Sequence, residues 1–185
     1  MSSQTSSPIR FNVAYIKLCT NLEGPYKRLC IWFQGCNIHC KGCCNQALLP
    51  LIPKHIITLE KLLDVIKEAK RDFDIEGITL TGGEPTLQTG LVILNKEVRK
   101  LGLGIIMFTG HYKEELPKNL VSSVDLLLEG PYDFTKPENN RLLIGSLNKK
   151  ITPISNRYTN DLDYYKTSIH KEEVEVDDYI FINGN

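Results

Sequence analysis

Three cysteines lie within one short segment and are separated by three residues and then by two: Cys36, Cys40 and Cys43. Thiolates are soft ligands that suit iron–sulfur clusters, zinc and Cu(I). Three thiolates this close together can hold three corners of a cubane iron–sulfur cluster, and the fourth iron then has no protein ligand. An iron with an open position can bind and reduce another molecule, so the spacing favours a catalyst over an electron carrier.

A structural zinc site is the alternative for the same cysteines, with Cys44 or His39 as the fourth ligand of a closed site. The adjacent side chains of Cys43 and Cys44 would have difficulty converging on one ion. Zinc sites also usually pair two separated CxxC units. The spacing therefore favours the cluster and leaves zinc as the second interpretation.

A second group of residues follows a short apolar run at 77–81, which predicts a buried strand: Gly82, Gly83, Glu84 and Pro85. Two glycines let the backbone approach a ligand closely. The Glu84 carboxylate could accept a hydrogen bond from an amine. Alone, such a segment is more typical of a tight turn, but together with the cysteine loop it indicates a ligand site.

Predicted strands and helices alternate along the chain, and each of these loops follows a predicted strand. Alternating and β-branched residues predict strands at 9–18, 27–34, 77–81, 103–108 and 124–128. Apolar stripes predict helices at 58–71, with Thr58 as N-cap, and at 87–100, and a short helical piece at 112–116. This alternation predicts parallel β/α units, in which ligands gather at the carboxyl ends of the strands. The cysteine loop, the Gly-Gly-Glu-Pro segment, Thr109-Gly110 and Glu129-Gly130-Pro131 all fall at such ends.

The last third of the chain differs in composition from the rest. From residue 139 onward it is polar and is predicted to be irregular, until two alternating runs at 173–176 and 179–182 flank Asp177-Asp178 and predict a β-hairpin. This hairpin could form an accessory layer or a docking surface.

Composition is typical of a globular protein, with 42% apolar and 24% charged residues in 185. We expect one domain over residues 9–185 and a disordered, Ser-rich lead-in over 1–8, which lacks the apolar region of a secretory signal. A net charge of zero gives no indication of direct nucleic-acid binding, and no apolar run is long enough to span a bilayer. Crowding of four of the six cysteines into residues 36–44 fits metal binding in a reducing compartment, which predicts the cytoplasm.

The cysteine spacing followed by Gly-Gly-Glu-Pro resembles the radical S-adenosylmethionine (SAM) superfamily. The resemblance implies a partial (β/α)6 barrel of the α/β class and a [4Fe-4S] cluster bound by Cys36, Cys40 and Cys43. It also implies that the open iron chelates the amino and carboxylate groups of SAM, and that the segment from Gly82 to Pro85 contacts SAM. The reduced cluster then cleaves SAM to methionine and a 5′-deoxyadenosyl radical, and no catalytic side chain is implied beyond the cluster and SAM.

A narrower resemblance is to the activating components of anaerobic (class III) ribonucleotide reductases. It is carried by these residues: Gly24-Pro25, Arg28, Trp32 to Cys36, Lys41-Gly42-Cys43, Asn45, Glu129-Gly130-Pro131-Tyr132, Arg141 and Gly145 to Asn148. It implies that the chain generates a glycyl radical on a partner enzyme, with a flavodoxin or ferredoxin as reductant. Thr109, Glu129 and Asn148 become candidate SAM-binding residues, and His111 a candidate contact to adenine or ribose.

The chain departs from that group at three positions. Cys44 stands where an aromatic residue usually follows the third cysteine, Glu84 replaces a common Asp, and Lys149 replaces Gln. These differences concern the partner, so a radical SAM enzyme that modifies a peptide or a small metabolite stays open. A non-catalytic zinc or iron–sulfur binding module is the alternative of another class.

Overall fold

The computed structural model describes residues 7–166, 172–176 and 179–183. Its main feature is a seven-stranded sheet with the order β3-β1-β2-β4-β5-β6-β7. The strands are β1 (Arg10–Thr20), β2 (Arg28–Phe33), β3 (His55–Thr58), β4 (Gly77–Gly82), β5 (Gly104–Phe108), β6 (Leu126–Glu129) and β7 (Lys150–Pro153). The helices are α1 (Leu59–Phe73), α2 (Leu91–Lys100) and α3 (Lys118–Val121).

Four neighbouring strands, β2, β4, β5 and β6, run parallel and place their carboxyl ends at one edge of the sheet. Antiparallel strands flank them, with β1 and β3 on one side and β7 on the other. The α/β class and the partial barrel are confirmed, and the described sheet remains open. The sequence did not predict β3 and β7, which are short strands at the two outer positions of the sheet.

Helix α1 begins and ends close to its predicted positions. The hydroxyl of Thr58 accepts a hydrogen bond from the backbone N–H of Lys61, which satisfies one of the free donors of the first turn. Leu62, Ile66 and Ala69 are buried on one face. The spacing of these residues matches the helical period and packs α1 on the convex side of the sheet.

Helix α2 begins at Leu91, so the predicted start at residue 87 was wrong. A separate 3-10 turn, Pro85–Leu87, precedes it. The side-chain oxygen of Gln88 accepts from the backbone N–H of Asn12. A Cβ on Gly90 would lie 2.2 Å from Cγ2 of Ile9. The chain therefore crosses β1 in close contact before the helix can begin.

The concave side of the sheet is covered by the segment predicted to be polar and irregular. A second core there contains residues of β5 and β6 together with Leu142, Leu143, Ile144, Tyr158 and Tyr165. The segment is polar in composition, but the prediction that it is irregular was wrong at β7, and its buried apolar residues follow no period of 2 or 3.6. They fill the interior that an open sheet would otherwise expose.

Arg28 joins this covering segment to the amino ends of the parallel strands. It is 0% exposed and forms an ion pair with Glu76 at 3.0 Å. Its Nη1 also donates to the hydroxyl of Tyr158 at 2.9 Å, and its Nε donates to Thr79 at 2.8 Å. A buried guanidinium is tolerated only with such partners, so this network determines how residues 156–158 attach to the sheet.

The predicted hairpin is present as the antiparallel pair β8 (Glu172–Val176) and β9 (Tyr179–Asn183). The predicted lead-in falls largely outside the described residues, which begin at residue 7. Within the described ranges, every helix is too short or too polar to cross a lipid bilayer.

Candidate functional site

The cysteine loop leaves the carboxyl end of β2 and is closed at its base by backbone hydrogen bonds. The N–H of Gly35 donates to the carbonyl of Leu48 at 2.9 Å, and the N–H of Cys36 donates to the carbonyl of Leu49 at 3.1 Å. The side chain of Gln34 adds a hydrogen bond to the carbonyl of Pro50 at 2.9 Å. The loop thus starts and ends at the same point on the sheet edge.

Cys36, Cys40 and Cys43 line one cavity of about 350 Å³ at the carboxyl ends of the parallel strands. Cys36 is buried, whereas Cys40 and Cys43 are half-buried, and all three are free thiols. A turn joins the last two, because the N–H of Cys43 donates to the carbonyl of Cys40 at 3.3 Å. Across the described ranges, no three His, Cys, Asp or Glu side chains are arranged to hold one metal ion. The cysteines share a cavity rather than a preformed coordination site.

The Gly-Gly-Glu-Pro segment lies directly against the start of this loop. The N–H of Gly83 donates to the carbonyl of Phe33, and the N–H of Glu84 donates to the carbonyl of Gly35, both at 2.8 Å. A Cβ on Gly83 would lie only 2.1 Å from the Gly35 carbonyl oxygen. Glycine is therefore required here for the two loops to meet, and Gly82 and Gly83 both line the cavity.

The Glu84 carboxylate is 1% exposed and connects the ends of β4 and β5. Its oxygens accept from the hydroxyl of Thr109 at 2.9 Å, from the N–H of Gly110 at 2.9 Å and from the N–H of Thr86 at 3.1 Å. Charge-assisted hydrogen bonds of this kind are stronger than neutral ones. Glu84 and Thr109 thus lie in the cavity wall and hold each other, while Pro85 begins the buried 3-10 turn behind them.

Other predicted site residues do not line this cavity. Glu129 accepts hydrogen bonds from the N–H of Lys113 and the hydroxyl of Thr152. Asn148 donates from its side chain to the carbonyl of Pro131 at 2.8 Å and to the hydroxyl of Tyr112 at 3.4 Å. Glu129 therefore joins the loop after β5 to strand β7, whereas Asn148 holds the loop after β6. Their assignment as SAM contacts stays a prediction. His111 is likewise absent from the described cavity lining.

Several cavity residues were not singled out by the sequence analysis as site residues. They are two charged residues and four apolar or aromatic ones: Glu23, Lys149, Trp32, Phe108, Tyr132 and Leu143. Lys149 donates to the carbonyl of Gly130. Lys149 could have been found from the sequence, because it replaces the Gln of the related activating group. No local feature of the sequence marks Leu143 as a cavity residue.

The pKa values of the Cys36 and Cys43 thiols are raised above their usual range, which favours the protonated thiols. Burial raises the pKa of the Cys36 thiol. A hydrogen bond with the neighbouring Cys44 raises the pKa of Cys43. Burial lowers the pKa of Lys149, while Cys40 and Glu84 act in the opposite direction. Metal or cluster binding must therefore displace protons from the thiols.

The residues present fit an iron–sulfur cluster with a second ligand beside it. The donor set is three soft sulfurs, and Gly82, Gly83 and Glu84 line the same cavity beside it. The cavity volume lies within the range of small-molecule sites. Cys36, Cys40 and Cys43 are the residues that would hold the cluster.

Comparison with known proteins places this arrangement in a family. The family model described as a 4Fe-4S single cluster domain matches residues 22–152. The anaerobic ribonucleoside-triphosphate reductase-activating protein of Enterobacteria phage T4 is 24% identical over 72% of this chain and 88% of its own length. The pyruvate formate-lyase-activating enzyme of Streptococcus mutans is 31% identical over 77% of this chain. This chain spans only 57% of that longer relative.

The fold has a counterpart among solved structures. QueE from Escherichia coli superposes with a TM-score of 0.52 and 18% identity, over 68% of this chain and 61% of QueE. At this identity the likeness concerns the fold alone. Together with the family match over most of the chain, these findings show that the protein belongs to the 4Fe-4S single cluster domain family and is a radical SAM enzyme, with a [4Fe-4S] cluster and SAM as its cofactors.

Proposed function

We propose that the enzyme cleaves SAM reductively at its [4Fe-4S] cluster and thereby generates a glycyl radical on a partner enzyme such as an anaerobic ribonucleotide reductase. One observation carries the proposal: a single cavity is lined by the three cysteines and by Gly82, Gly83 and Glu84. The relatives that are named as activating proteins of glycyl-radical systems support the choice of partner.

In this proposal Cys36, Cys40 and Cys43 hold the cluster, and the Gly-Gly-Glu segment contacts SAM. When bound, the reduced cluster supplies the electron that breaks a carbon–sulfur bond of SAM. The protein's part is to hold the reacting groups in place, and binding at fixed positions removes much of the entropic cost of the reaction. The rigid contact between the Gly83 and Gly35 backbones serves that purpose.

The apolar part of the cavity wall protects a reactive species from water. Trp32 is buried, and Phe108 and Leu143 face the same cavity. These side chains keep water away from the place where SAM would be cleaved. We propose that hydrogen-atom abstraction takes place against this wall.

The partner would complete the site from outside. Asn37, His39 and Lys41 of the cysteine loop are exposed, so the loop lies at the protein surface. A flexible glycine-bearing segment of a partner could enter beside it, and a flavodoxin or ferredoxin could deliver an electron to the same region. The cytoplasm, where both kinds of protein occur, is the compartment that we propose.

The test is an anaerobic incubation of the reconstituted enzyme with SAM, a reductant and an anaerobic ribonucleotide reductase. We expect 5′-deoxyadenosine together with an electron paramagnetic resonance (EPR) doublet on the reductase polypeptide. Omission of SAM is the control and should abolish both signals. Deoxyadenosine without any doublet would contradict the proposed partner and would favour a peptide or metabolite as substrate instead.

A further inference from the structure

Lys149 places a positive charge in the cavity that the cluster would occupy. Among the described residues that line this cavity, Lys149 is the one lysine or arginine. It is half-buried, so water screens that charge only in part. Cys40, Cys43, Cys44 and Glu84 are acidic or ionisable residues that line the same cavity.

The ammonium group is held in place rather than free to move. Its Nζ donates to the carbonyl of Gly130, in the loop that follows β6. The backbone of Lys149 is fixed as well, because Nη1 of Arg141 donates to the Lys149 carbonyl at 3.0 Å. Arg141 is in turn paired with the buried carboxylate of Glu138. A charge with so little freedom acts on its surroundings from one position.

We propose that the ammonium group of Lys149 compensates the negative charge of the thiolate-ligated cluster. Lys149 thereby raises the reduction potential of the cluster. This inference rests on the proposed binding of the cluster by Cys36, Cys40 and Cys43. Three thiolates make the cluster site anionic, and one-electron reduction adds a further negative charge. A nearby positive charge favours the reduced state by Coulomb attraction.

The Gln found at this position in the related activating group provides the decisive variant. In Lys149→Gln, the side-chain amide can still donate to the Gly130 carbonyl, but the charge is lost. In Lys149→Met, both the charge and the hydrogen bond are lost. Lys149→Arg retains the charge. Lys150→Gln is the matched control, because Lys150 is exposed and lies over the ring of Tyr112 at 5.0 Å, outside the cavity lining.

The experiment measures the midpoint potential of the reconstituted cluster by anaerobic redox titration, with EPR detection of the reduced form. For Lys149→Gln we expect the equilibrium constant of one-electron reduction to fall about tenfold, which corresponds to a potential about 59 mV more negative. Lys149→Met should show the same shift, and Lys149→Arg should restore most of the potential. Lys150→Gln should match the wild type.

Two results would overturn the inference. An unchanged potential in Lys149→Gln would do so, even if SAM binding were weakened, since the charge would then act on SAM and not on the cluster. A shift in Lys149→Met without one in Lys149→Gln would show that the hydrogen bond matters and the charge does not. A wild-type protein that forms no cluster would instead contradict the proposed function, and the inference about Lys149 would fall with it.

Discussion

Glu84 shows how a single side chain connects the loops that follow two neighbouring strands, β4 and β5. A carboxylate has two oxygens that only accept, and here the donors are the Thr109 hydroxyl and the backbone N–H groups of Gly110 and Thr86. Such a residue was predicted to contact SAM. The structure adds that it also joins the end of β4 to the end of β5.

Glu84→Gln should therefore destabilise the fold as well as the site. The new NH2 group would face a donor, which leaves a buried N–H unsatisfied at a cost of about 1–3 kcal/mol. Urea unfolding gives the free-energy difference. Glu97→Gln is the control, since Glu97 forms a surface pair with Lys100 whose loss should cost less than about 1 kcal/mol. Equal stability of the two variants would count against the bridging role of Glu84.

The cysteine assignment makes a second prediction for single residues. Cys40→Ala should lose the cluster and form no 5′-deoxyadenosine, yet it should keep the circular dichroism of the folded sheet, because Cys40 is half-buried in a loop. Cys44→Ala is the matched control: Cys44 is exposed and adjacent to Cys43, and the variant should retain about four irons per chain. If Cys44→Ala lost its metal and Cys40→Ala did not, the ligand set would be wrong.

At the scale of elements, the site depends on two loops that touch through their backbones. The Gly-Gly-Glu-Pro segment follows β4, the cysteine loop follows β2, and the parallel pairing of these strands brings them side by side. Hydrogen bonds from Gly83 and Glu84 to the other loop then set their separation.

Gly83→Ala should push these loops apart. Its Cβ would meet a backbone oxygen that has no rotamer to change, and overpacking of this kind costs about 1–3 kcal/mol. We expect a lower melting temperature and weaker retention of iron after reconstitution. Gly102→Ala serves as the comparison: its φ of +78° causes strain, but no atom lies within 4 Å of the added Cβ. It should lose stability and keep its iron, and a Gly83→Ala protein with full iron content would contradict the model of touching loops.

The elements that the sequence predicted well are those with a local signal. Helix α1 has both a capping threonine and a regular apolar stripe, and the four parallel strands are short apolar runs. The start of α2 was misplaced because the close packing of Gly90 against Ile9 is a tertiary contact. Edge strands β3 and β7 are half-exposed and only four residues long, so their composition differs little from that of loops.

For the whole molecule, the covering segment from residue 139 to 166 determines how one face of the open sheet is covered. Its apolar residues fill the concave side, and its attachment at the amino ends of the strands depends on Arg28, Glu76 and Tyr158. Two of the cavity residues that were found only in the structure, Leu143 and Lys149, belong to this segment. Their role depends on long-range packing, which explains why the spacing of residues could not reveal it, whereas the three cysteines and Gly-Gly-Glu form contiguous signals.

Tyr158→Phe tests that attachment. The hydroxyl donates to Glu76 at 2.7 Å and accepts from Arg28 at 2.9 Å, so its removal leaves buried charged groups with fewer partners. We expect a loss of about 1–3 kcal/mol in the free energy of unfolding, read from the urea midpoint at constant slope. Tyr26→Phe makes the same change at an exposed hydroxyl that donates to Asp161, and it should cost less than about 1 kcal/mol. Equal losses of unfolding free energy in the two variants would show that the buried network of Arg28, Glu76 and Tyr158 does not stabilise the fold.

The proposed chemistry depends on a cluster in which one iron has no side chain as its ligand. The most direct measurement is the EPR spectrum of the dithionite-reduced, reconstituted protein before and after SAM is added. Because Cys36, Cys40 and Cys43 leave one coordination position open, SAM should change the g-values of the reduced cluster. A spectrum that stays the same at saturating SAM would contradict the account.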